Sequence, residues 1–80
     1  MKIWFACSER PLLPEAQEAI RKVVEEMGAK EVLVTLGHGV PPDGGHYVDA
    51  FLGMRDVSHV TFAISEDGRT CRFAAMHGRG

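Results

Sequence analysis

Between residues 37 and 46 the chain reads Gly-His-Gly-Val-Pro-Pro-Asp-Gly-Gly-His, and no regular element can run through it. Proline removes backbone donors, and glycine loses the most conformational freedom on ordering. The chain is therefore divided in two, with an apolar run on each side of a loop. Loops held on a rigid scaffold are where function usually sits.

The first half reads clearly. Lys2–Cys7 (KIWFAC) is a short run of β-formers. Ile3, Phe5 and Cys7 share one side, Trp4 and Ala6 the other, and Trp4 suggests that its side is partly covered too. Ser8–Leu13 is a connector broken by Pro11. Pro14 suits a first helical position, where its missing N–H is no loss. Over Pro14–Met27, Ala16, Ile20, Val23 and Met27 repeat at helical spacing, widened by Ala19 and Val24. Glu15 and Glu18 favour the first turn, and Glu18–Lys22, Arg21–Glu25 and Lys22–Glu26 are opposite charges four apart. Gly28 closes the helix. Glu31–Leu36 (EVLVTL) is apolar on both sides, as a central strand should be. Strand, helix and strand with short links make a βαβ unit with parallel strands.

In the second half, Tyr47, Ala50, Phe51 and Met54 repeat at helical spacing and predict a short helix over His46–Met54, weakened by Gly53. Ser58–Ser65 and Arg69–Met76 flank Asp67-Gly68, a strong hairpin signal calling for a type I′ turn. A two-residue turn sets Ile64 against Cys71, Phe62 against Phe73 and Val60 against Ala75, all on one face. Thr61, Ala63, Ser65, Thr70, Arg72 and Ala74 take the other. His77–Gly80 read as a frayed tail. The expected fold is α+β, a two-layer α/β sandwich of order β-α-β-(short α)-β-β. It has a four-stranded mixed sheet, one long helix on one face and a C-terminal β-hairpin.

Eighty residues make one domain, 1–80. A core this small supplies on the order of 3–5 kcal/mol, so a homodimer would be a natural helper. Nine basic against eleven acidic residues give a formal charge of −2. That argues against direct nucleic-acid binding, which needs a basic face. No apolar run spans a bilayer and no signal-peptide pattern opens the chain, so a cytoplasmic location is the default expectation. Two cysteines, Cys7 and Cys71, are too few for a disulfide framework and read as core residues.

No catalytic signature emerges. His38 and His46, even with Asp43, His59 or His77, have no recognised metal-ligand spacing, so neither a metal nor another cofactor is expected. Gly37-His38-Gly39 and Gly44-Gly45 lie where a phosphate could be cradled, at the carboxyl end of a parallel strand, but no dinucleotide or P-loop fingerprint is present. Cys7-Ser8-Glu9-Arg10 lacks the Arg spacing of a phosphatase loop, since position 13 is Leu13. Asp49 and Asp56 read as surface residues.

Size decides between the remaining classes. Eighty residues leave little room for a closed ligand pocket, but suffice for about 800 Å2 of protein interface. The expectation is a small non-enzymatic protein-binding module, an accessory or inhibitor of a larger protein assembly. Phage-borne or other mobile-element antagonists are one such population, though no residue identifies one. The expected contact residues are His38, Pro42, Asp43, His46, Tyr47 and Arg55. They are chosen because the loop is the one long irregular segment and Tyr47 offers rigid amphipathic area. The alternative is a small ligand- or phosphate-binding domain, or a minimal enzyme, using loop 37–46. The hairpin face around Thr61, Thr70 and Arg72 is the next candidate surface.

Overall fold

The computed structural model describes residues 1–7 and 9–79. Its elements are β1 (Lys2–Ala6), α1 (Pro14–Glu26), β2 (Glu31–Leu36), β3 (His46–Phe51), β4 (Val57–Ile64) and β5 (Cys71–Gly78). The class is α+β, as expected, but the sheet has five strands rather than four, in the order β1-β2-β3-β4-β5. β1 and β2 are parallel, and every other pair is antiparallel.

The helix forms where the apolar stripe requires it, with Pro14 at its start and Ala16, Ile20 and Val24 buried. No side chain among the described residues caps its N-terminus, although the Gln17 amide donates back to the Leu12 carbonyl at 3.0 Å. Gly28, at φ +85°, ends it. Its N–H donates to Glu25 O and that of Ala29 to Val24 O, the pairing of a Schellman cap. Of the charges on the outer face, Arg21 meets Glu18 at 3.7 Å, three residues away. None of the expected pairs four apart closes among the described residues.

Helix α1 packs on one face of the sheet. That covered face carries Val32 and Val34 of β2, Val48 and Ala50 of β3, and Val60, Phe62 and Ile64 of β4, all buried in one cluster with Ile20 and Val24. Each valine, isoleucine or phenylalanine among them contributes about 1.5–3 kcal/mol by leaving water. Cys7 belongs to the same core, its thiol donating to Val34 O at 3.6 Å, and burial pushes its pKa up. Cys71 is half-buried opposite Ile64, and burial pushes its thiol up to about 11. At β5 the cover thins, and Phe73 and Met76 on this side stay exposed.

The predicted helix over His46–Met54 is replaced by strand β3. Tyr47, Ala50, Phe51 and Met54 fit a 3.6 period, but Val48, Ala50 and Leu52 fit a period of two, and those are the buried residues. Pairing with β2 on one side and β4 on the other decides the matter, because a strand there satisfies backbone groups that a helix would strand.

The hairpin keeps its predicted register at Ile64 against Cys71 and Phe62 against Phe73. A bulge then intervenes, so Val60 faces Met76 rather than Ala75. The turn is also not type I′. Gly68 has φ +77°, but no non-glycine residue among those described has positive φ. Gly68 N–H closes the turn on Ser65 O at 2.9 Å, and Asp67 Oδ1 accepts from Ser65 Oγ and Arg69 N–H. Side-chain hydrogen bonds thus do the work assigned to a left-handed Asp67. His77 is no frayed tail: β5 runs through Gly78, and Arg79 bonds Asp56 O and Met54 O. Ser8 of the connector and Gly80 of the predicted tail lie outside the described residues.

Candidate functional site

The second face of the sheet has no helix over it. Trp4, expected to be partly covered, stands 52% exposed there, with Leu33 at 44% and Phe51 at 40%. The register lines these up. Trp4 pairs with Leu33, Leu33 with Phe51, Phe51 with His59 and His59 with His77, one row across all five strands. The rings at its far end touch: Phe51 and His59 lie 4.9 Å apart between centroids, and His59 and His77 stack at 4.1 Å.

The adjacent row is Ala6, Thr35, Asp49, Thr61 and Ala75, small or polar throughout. At its centre Thr61 Oγ1–H donates to Asp49 Oδ1 at 2.7 Å. Thr61 has one hydroxyl proton, so its 3.0 Å contact with His77 Nε2 is a hydrogen bond donated by the imidazole. His77, Thr61 and Asp49 form one chain of donors ending on a carboxylate. With His38, Tyr47, His59 and Ala75 these residues line a shallow hollow of about 350 Å3. Gly37 packs closely against two of these residues, because a Cβ there would lie 3.1 Å from Tyr47 Cβ and 3.3 Å from Asp49 Oδ2.

The contact residues expected from sequence do not form one surface. His38 and Tyr47 border the hollow. Pro42 and Asp43 are exposed on the loop beside it, with Asp43 reaching Arg72 of β5 at 3.9 Å. Arg55 follows the other end of β3, beside Gly28, Lys30 and Met54. His46 points the opposite way, to the covered face, since it pairs with Ile64. Its two ring nitrogens are buried without partners among the described residues, and burial, then the Arg10 charge, lowers its pKa. Asp49, read as a surface acid, and His59 and His77, weighed as further metal ligands, are the ones brought together. Reading β3 at a period of two would have set Asp49 on one side with Tyr47 and Phe51. Only the strand pairing joins it to Thr61 and His77.

No three His, Cys, Asp or Glu side chains converge as metal ligands among the described residues. Among the described residues no helix is long and apolar enough to cross a membrane. Comparison with protein-family models, curated proteins and solved structures finds no match, so the functional reading rests on this geometry.

Proposed function

We propose that this chain is a non-enzymatic protein-binding module, an accessory or inhibitor, whose contact surface is the open face of the sheet. The observation that carries this reading is the row Trp4–Leu33–Phe51, three large apolar side chains side by side and exposed, flanked by polar groups. Scattered apolar residues on a surface need no explanation, but a contiguous patch rimmed by polar residues marks an interaction site. Tryptophan and other aromatics dominate such interfaces energetically. A broad face five strands wide fits a protein partner better than a small molecule, which needs a concave site to bury most of its surface.

The test is capture by the immobilised chain, comparing wild type with Leu33→Glu and with Glu18→Ala on the outer side of α1. A partner retained by wild type and Glu18→Ala should be lost with Leu33→Glu. Phe51→Ala should weaken it by about 1–2 kcal/mol if the row forms the hot spot. Thermal melts verify that Leu33→Glu is folded. A partner indifferent to Leu33→Glu, or no protein retained by wild type, overturns the reading.

A further inference from the structure

We infer that the hollow around Asp49 receives the guanidinium of an arginine from a basic segment of the partner. This inference rests on the open face being the contact surface, and adds which chemistry it selects. Asp49 sits near the middle of that face, on the central strand, and is half-buried. The two ion pairs among the described residues, Arg21–Glu18 and Arg72–Asp43, leave its charge without a cation. Thr61 occupies Oδ1. Oδ2 accepts no hydrogen bond among the described residues, and Gly37 lies close beside it, since a Cβ there would come within 3.3 Å of it. A half-desolvated carboxylate with a vacant acceptor is complementary to a cationic donor, and charge-assisted bonds of that kind are the strong ones.

The walls select arginine over lysine. Tyr47 and the imidazole of His77 line the hollow beside Asp49 with flat π-surfaces, the His59 ring lying between Phe51 and His77. A guanidinium is planar, weakly hydrated and stacks on such rings while bonding a carboxylate, whereas an ammonium is a strongly hydrated point charge. An anion is disfavoured there, because the Thr61 hydroxyl proton is already directed at Asp49 and His77 Nε2–H at Thr61. The groups that oppose a cation are the imidazoles of His38 from the loop, His59 from β4 and His77 from β5, when protonated. Arg72 is held at Asp43.

The probe is the peptide acetyl-Gly-Arg-Gly-amide, with citrulline in place of arginine as its uncharged isostere. Binding is followed at pH 8 by the methyl resonances of Thr61 and Ala75. The arginine peptide should shift both saturably at millimolar concentration, and the citrulline peptide should not. Asp49→Asn keeps the acceptor for Thr61 and should weaken the arginine peptide by about tenfold or more, the loss expected for one charge-assisted bond. Asp43→Asn should leave it within about twofold, since exposed charges contribute little. Equal shifts from both peptides, or unchanged binding to Asp49→Asn, overturn the inference. If Leu33→Glu abolishes partner capture while the arginine peptide leaves Thr61 and Ala75 unmoved, the contact face stands and its cationic occupant falls. If the peptide saturates the hollow while Leu33→Glu captures normally, the occupant stands and the partner-face reading falls.

Discussion

Five strands supply both faces of the sheet, yet the two faces differ in what they do with apolar residues. On the covered face Val32, Val34, Val48, Val60 and Phe62 interlock with Ile20 and Val24 of α1 and lose essentially all contact with water. On the open face Trp4, Leu33 and Phe51 carry large apolar side chains and remain well exposed. Alternation along each strand places both sets, so the same backbone carries them at no geometric cost to either. The first set explains why the chain folds. The second is unnecessary for that purpose, and this makes it informative about function.

Mutation should separate the faces by size of effect. Phe62→Ala, in the covered core, is expected to cost about 3–5 kcal/mol in urea unfolding, from lost burial and the cavity left behind. If it costs no more than an open-face change, the division between the faces is wrong. Gly45→Ala comes next. At φ +81° a side chain is strained, and a Cβ would run into the Ile64 carbonyl of β4. The expected loss is roughly 1–3 kcal/mol, the range for a residue forced into such a region, and a neutral result would mean that the loop can lift off β4. Phe51→Ala, by contrast, should lower stability by no more than about 1 kcal/mol, as surface changes do. It sharpens the comparison by pairing two phenylalanines from adjacent strands. The smallest effect is visible only with pH. His46 on the covered side holds its proton less tightly than its ordinary value of 6.5. The unfolded chain therefore takes up a proton first as pH falls, so stability is full above that value and declines as pH drops through it. Melting temperatures measured from pH 8 to pH 5 should show this decline, and His46→Leu should flatten it.

Local chemistry made some of this architecture readable in advance. Proline at position 14, the apolar stripe from Ala16 to Val24 and Gly28 after it mark α1, because each acts within a turn of the helix. Glu31–Leu36 is recognisable as a central strand from apolar residues on both sides. His46–Phe51 reads as helix from Tyr47, Ala50, Phe51 and Met54, but Ala50 and its neighbours also satisfy a period of two, and the partners β2 and β4 select the strand. The bulge beside Phe73 leaves no local signature, yet it sets which of Ala75 and Met76 faces the core. It also brings Ala75 and His77 onto the open face with Thr61 and His59. The candidate site was hidden for the same reason: Asp49, Thr61 and His77 come from three strands and become neighbours only through pairing. Asking which residues alternate with the buried ones would have found Tyr47, Asp49 and Phe51 together.

One property of the sheet reaches beyond the finished structure. Its strands lie side by side in the order in which the chain supplies them. Every pairing from β2 onward joins consecutive segments across a loop, and the β1–β2 pairing needs only the intervening helix to be in place. No strand waits for a distant partner to be threaded between others. Closing short loops costs little entropy, and chains dominated by such closures cross a low kinetic barrier. The β3–β4–β5 meander can therefore zip up one rung at a time, with no strand threaded between others already paired. An aromatic row exposed in the native state is exposed during that search too, so rapid assembly shortens the interval in which unfinished chains could meet through it.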